Sequence, residues 1–133
     1  MGRSLGSLCV LELAYHYGEH IRGLVIESGF AGVTRLIRCL NLPARGLPLG
    51  RRDEEILSMI SQISVPALII HGEMDTLIPP VEARHLCAAL TATRKKIVMI
   101  ARANHNNIIS AGREQYFAEL RLFVRDTDRP ARG

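Results

Sequence analysis

Short continuous apolar runs alternate along the chain with longer stretches whose apolar residues recur every three or four positions, the rhythm of buried strands and amphipathic helices. Leu5 to about Tyr17 carries Leu8, Leu11, Leu13 and Ala14 at helical spacing, and Gly18 fits its C-terminal stop. Gly23-Leu24-Val25-Ile26, inside Ile21 to Glu27, predicts a buried strand. Gly32 to about Leu42 predicts a helix through Val33, Leu36, Ile37 and Leu40, and the prolines and glycines of Pro43 to Gly50 predict a loop. Asp53 is placed to cap a helix containing Ile56, Leu57, Ile60 and Ile63.

Two further strands follow. Val65 to Ile70, with Pro66 near its start and Gly72 at its end, is too short an apolar run for a helix, and Lys96 to Ala101 is another. Between them Pro79-Pro80 opens a helix with Val81, Ala83, Leu86, Cys87 and Leu90 on one side. A last helix, roughly Gly112 to Arg125, gathers Tyr116, Phe117, Leu120 and Phe123-Val124 before a polar tail. Strands joined by helical crossovers make an α/β chain with a parallel sheet, whose C-terminal strand ends share one edge. Nothing repeats internally, and 133 residues form one domain at most.

The chemistry begins at Gly2-Arg3-Ser4-Leu5-Gly6, a G-x-S-x-G run feeding straight into the first helix. That pattern marks a nucleophile elbow with Ser4 as nucleophile, its glycines admitting a turn on which a side chain at either flank would collide. Only Met1 precedes Gly2, so the expectation is that the strand holding the elbow is missing. Asp75, in the loop after the Ile69-Ile70 strand, is the candidate acid; His105, in the polar loop after the next strand, is the candidate base. The order Ser, acid, His is the one a strand-end triad of this kind uses. His105 would take the Ser4 proton during attack on a carbonyl carbon and return it to the leaving group. Asp75 would orient His105 and stabilise its imidazolium, and the Leu5 N–H at the positive end of the helix would hold the oxyanion.

With Gly2 to Ser7, Glu27 to Phe30, His71 to Pro79 and Ala103 to Asn107, the chain resembles the C-terminal half of an α/β-hydrolase fold protein, closest to esterase, lysophospholipase-like and serine aminopeptidase-like hydrolases. The likeness runs from Gly2 to about Val124. Asn104 stands where a glycine is usual before the histidine, and Asn107 where an aspartate is common. The resemblance implies about three parallel strands with flanking helices, the N-terminal strands absent, and residues 1–133 as a single partial domain. It implies a substrate-covering cap between strands; residues 28–64 allow only a minimal one over an open site. It also implies a second oxyanion donor from a loop upstream of Met1; lacking one such donor costs roughly 10²- to 10³-fold in turnover.

Charge and cysteines narrow the classes further. The net charge of +4 is carried almost wholly by arginine, with Lys95 and Lys96 the only lysines, and aromatic content is 5% without tryptophan. A solvated basic surface therefore fits better than a nucleic-acid site. Neither G-x-G-x-x-G nor a P-loop motif is present to suggest a nucleotide. Cys9, Cys39 and Cys87 are dispersed and lack C-x-x-C spacing, which reads as buried free thiols; no metal-ligand spacing and no cofactor motif appear. No apolar run approaches a membrane span and no leader is visible, so a cytoplasmic location is the default.

Other residues have plainer readings. Ser28 suits a turn, Glu73 reaches less well than Asp75, His71 is structural at a strand end, and His16, His20 and His85 lie on or beside helix surfaces. Arg3 suits a surface ion pair better than an anionic substrate group. The reading is a serine hydrolase acting on a small-molecule carboxylic ester, thioester or amide; the alternative is a non-catalytic hydrolase-like fragment or binding pseudoenzyme. An unpaired apolar edge on the Ile21 to Glu27 strand would favour self-association.

Overall fold

The buried apolar runs become strands of one sheet. The computed structural model describes residues 1–46 and 48–128, and of Cys39 the backbone alone. Strands β1 (Gly2–Arg3), β2 (Leu24–Glu27), β3 (Ala67–Gly72) and β4 (Lys95–Ile100) are all parallel and lie side by side in chain order. Ile26 pairs with Gly2 on one side and Ile69 on the other, Glu27 with Arg3 and Ile70, and His71 with Met99. Strands β2 and β3 are buried throughout, as central parallel strands covered on both faces must be. Edge strand β4 opens with exposed Lys95 and Lys96, charges that discourage further pairing.

Period-2 alternation divides the core between the two faces. Leu24, Ile26, Ala67 and Ile69 meet α1 (Gly6–Tyr17), α3 (Leu49–Ile60) and α4 (Val81–Ala89) through Leu11, Ala14, Ile60, Ala83 and Leu86. Val25, Leu68, Ile70, Val98 and Ile100 meet the short α5 (Ile108–Ala111) and the long α6 (Arg113–Asp128) through Ile108 and Tyr116. A third cluster, Phe30, Leu36 and Ile78 with Leu8 and Leu40 against it, packs α2 (Val33–Cys39) at the C-terminal edge of the sheet.

Several sequence expectations change. The sheet has four strands rather than about three, because Gly2 and Arg3 themselves form a strand against β2; two residues carry no periodicity by which to find it. Because β1 reaches only Ile26 and Glu27, Leu24 and Val25 keep an unpaired edge among the described residues. Helix α3 starts at Leu49, inside the expected loop, so Asp53 sits in its second turn and does not cap it. Its carboxylate accepts the Thr34 N–H instead, at 3.1 Å, and so caps α2 from a neighbouring helix. Leu47, within that expected loop, and the tail from 129 onward lie outside the described residues. The last helix, α6, is continuous and begins as expected next to Gly112; the short α5 before it is an addition, and at Gly112 between the two a Cβ would come within 2.4 Å of Ile100 Cγ2. Cys9 is exposed and Cys87 half-buried, not buried thiols: Cys9 lies on the outer face of α1, one turn from exposed Leu5 and Leu13.

Candidate active site

Ser4 stands on the turn between β1 and α1 with φ +52°, the left-handed region that a non-glycine residue enters at a cost of order 1–3 kcal/mol. Two backbone bonds hold it there: its N–H donates to the Glu27 carbonyl, and its carbonyl accepts the Ser7 N–H, both at 2.9 Å. Gly2 is sterically required, since a Cβ would lie 2.4 Å from the Gly6 carbonyl oxygen and 2.5 Å from Val10 Cγ2. Gly6 is not, because a Cβ there meets no described atom within 4 Å. The expectation that both flanks exclude a side chain holds only for the first; the second faces the open side of the turn.

Asp75 is buried in the turn after β3. Its Oδ1 accepts the Leu77 and Ile78 N–H groups at 3.0 and 2.8 Å, and its Oδ2 accepts the His105 Nδ1–H at 2.8 Å. Fully buried His71, at the end of β3, donates Nε2–H to the Ile78 carbonyl at 2.8 Å and so fastens the far side of the same turn. Glu73 is exposed, with its N–H spent on the Ile100 carbonyl.

His105 completes the chain of bonds, its Nε2 lying 3.1 Å from Ser4 Oγ. With the Asp75 carboxylate accepting at Nδ1, the neutral imidazole carries its proton there, and Nε2 is free to accept from the serine hydroxyl. The distance is not a product of adjacency. β1 and β4 are three strand spacings apart, about 14 Å at ~4.8 Å per strand, so the loop after β4 folds back across the sheet edge. Asparagines shape that loop: Asn107 Oδ1 accepts the Asn104 N–H at 2.7 Å, and Asn104 Oδ1 accepts the Asn106 N–H at 2.9 Å.

The N–H of Leu5 lies just before the first turn of α1, where backbone donors have no intrahelical acceptor. A cavity of about 1110 Å³ lies between α1, α2 and α3, lined in part by Leu8, Tyr15, Ile37, Ile56 and Met59. Another, of about 340 Å³, lies where β3 and β4 begin, beside Phe123. Neither is lined by Ser4, Asp75 or His105. Among the described residues no cluster of three or more His, Cys, Asp or Glu could hold a metal, and no helix is long and apolar enough to cross a membrane. Ser28 lies in the buried turn after β2, also at positive φ, with its N–H on the Ile70 carbonyl.

No local pattern in the sequence points to a polar role for Glu27 or Tyr116. Glu27 is buried, bonded to Arg3 Nε at 2.8 Å and to the Tyr116 hydroxyl at 2.7 Å. The phenol of Tyr116 is held well above its ordinary range, first by burial and then by the Glu27 carboxylate it bonds. The available signal was Glu27 itself, a carboxylate closing an apolar strand.

A parallel sheet with a serine on a strand-to-helix turn, and an acid and a histidine after later strands, is the arrangement of an α/β-hydrolase. The chain has that fold, in part. No protein-family model matches it. It is 24% identical to protein bem46 of Schizosaccharomyces pombe over 131 residues, 96% of this chain and 43% of that protein. Among solved structures it is similar to a monoacylglycerol lipase of Paleococcus ferrophilus, at TM-score 0.67 and 20% identity, covering 93% of this chain and 66% of that one. It is also similar to an alpha/beta hydrolase enzyme from a Mar Chica lagoon sediment metagenome, at TM-score 0.69 and 19% identity, covering 96% of this chain and 61% of that one. The chain thus spans less than half of that curated relative and under two thirds of some solved structures.

Proposed function

We propose that this chain bears the nucleophile, acid and base of a serine hydrolase that cleaves a carboxylic ester, thioester or amide through an acyl-enzyme. The observation carrying this reading is the unbroken Asp75–His105–Ser4 sequence of bonds, 2.8 and 3.1 Å, on a serine held at φ +52°. Ser4 Oγ attacks the acyl carbon while His105 Nε2 takes its proton; the proton passes to the leaving alcohol, thiol or amine. Water then attacks the acyl-enzyme by the same route and frees the acid. Asp75 compensates the imidazolium, and the Leu5 N–H donates to the oxyanion. Residues 28–64, with α2 and α3, act as a minimal cap that leaves the Ser4 side open. That the relatives named above include a lipase and an alpha/beta hydrolase enzyme supports the reading at the level of class.

The test is intact mass after incubation with a fluorophosphonate, beside a Ser4→Ala control. One covalent adduct that disappears in the control is the expected result. Absence of an adduct from the folded protein overturns the proposal in favour of a non-catalytic hydrolase-like chain.

A further inference from the structure

His105 hangs from the strand farthest from Ser4, so something beyond the sheet must hold its loop over the nucleophile. Asp75 holds the imidazole. The main chain of the loop is held from the opposite side by Arg3, whose Nη2–H donates to the His105 carbonyl at 2.5 Å while its Nε–H donates to Glu27 Oε1 at 2.8 Å. The Glu27 main-chain carbonyl, in turn, accepts the Ser4 N–H. The bonds close a ring: Ser4 backbone to Glu27 backbone, Glu27 carboxylate to Arg3, Arg3 to the His105 backbone, His105 imidazole to Ser4 Oγ.

Each member suits that role. The guanidinium is a planar fork that aims separate N–H groups at two acceptors in a fixed relation, which a single ammonium nitrogen does not. Glu27 is 4% exposed, on the strand face shared with Val25 and Ile70, and its second oxygen is fixed by the Tyr116 hydroxyl. An ion pair with one half-exposed partner adds little stability, so its use here is geometric. Arg3, by contrast, is about half exposed, which leaves it open to substitution without disturbing the core.

We propose that Arg3 and Glu27 are positioning residues that set the His105 loop over Ser4, acting through the His105 carbonyl rather than on substrate. This rests on the hydrolase reading above. The test compares wild type, Arg3→Gln and Arg3→Lys; the lysine keeps the charge that Glu27 faces but loses the two separately aimed N–H groups. Fluorophosphonate labelling gives a maximal rate and a half-saturating concentration, and proton NMR follows the hydrogen-bonded His105 Nδ1–H.

Both variants are expected to lose about 10- to 100-fold in maximal rate. The half-saturating concentration should change less than about twofold, because substrate contacts remain. The His105 Nδ1–H signal should broaden or vanish in both. Labelling of Arg3→Lys at the wild-type rate with that signal intact overturns the proposal, since charge alone would then suffice. Should wild type itself fail to label, the hydrolase reading falls and the NMR comparison still decides this one: persistence of the signal in Arg3→Lys overturns it, and loss upholds it.

Discussion

Gly72 and Ala103 approach so closely that a Cβ on Gly72 would lie 2.4 Å from the Ala103 carbonyl oxygen. The contact joins the loop that carries Asp75 to the loop that carries His105, and the Met74 N–H donates to that same carbonyl at 2.8 Å. Gly72→Ala should therefore separate acid from base, lowering stability by about 1–3 kcal/mol. Labelling of Ser4 should slow more than the stability loss explains. Denaturant melts beside labelling rates check this, and unchanged rates in the folded variant would refute it.

Asp75 is bonded on both carboxylate oxygens, and an amide can replace only one. Asp75→Asn is expected to keep an acceptor for Leu77 and Ile78 while reversing the partnership with His105 Nδ1. The wrong tautomer then faces Ser4, and acylation should fall on the order of 10⁴-fold. A burst assay with an activated ester measures it.

Gly2 and Gly6, on either side of Ser4, should behave oppositely. Gly6→Ala, at the start of α1 with open space around it, should stabilise the chain by about 0.5–1 kcal/mol, whereas Gly2→Ala should destabilise it and misplace Ser4. Thermal melts of the pair test this; equal losses would mean that both glycines are sterically required.

Tyr116 predicts a loss of stability in alkali. Its phenol stays protonated in the folded chain above the pH at which an unfolded phenol ionises, near 10. Above that pH the unfolded chain holds fewer protons than the folded one, so stability falls as pH rises; below it the contribution is constant. Tyr116→Phe should remove this alkaline slope. It should also lower stability at neutral pH by about 1–3 kcal/mol, because Glu27 Oε2 loses its buried donor. Urea midpoints between about pH 8 and 11 for both proteins show whether the slopes differ.

Leu5, Leu13 and Tyr17 are 60, 50 and 56% exposed along one face of α1, and Leu24 and Val25 of β2 have no strand partner on the β1 side among the described residues. Concentration-dependent self-association is the expected outcome, relieved by Leu13→Lys, because contiguous exposed apolar surface drives association. Sedimentation velocity over a range of concentrations measures it; a wild-type monomer throughout would remove the expectation.

What could be read from the sequence follows from how each signal is encoded. β3 and β4 announced themselves because a buried parallel strand is a continuous apolar run, and Ser4, Asp75 and His105 because each sits at a fixed offset from such a run or a glycine motif. β1 was hidden because two residues show no period. The capping of α2 by Asp53 was hidden because its partner, Thr34, lies on another helix, and local capping rules look only downstream. From the sequence, Arg3 suits no more than a surface ion pair. Its bond to the His105 carbonyl joins residues 102 apart, which no local pattern reveals.

Because the strands lie in the sheet in the order in which they occur in the chain, each new β-α unit can be laid beside the last as it leaves the ribosome. His105 is made 101 residues after its partner Ser4. At about 5–20 residues per second, some 5–20 seconds of synthesis separate the two. Throughout that interval Ser4 has no imidazole within reach to accept its proton, and its hydroxyl is an ordinary alcohol.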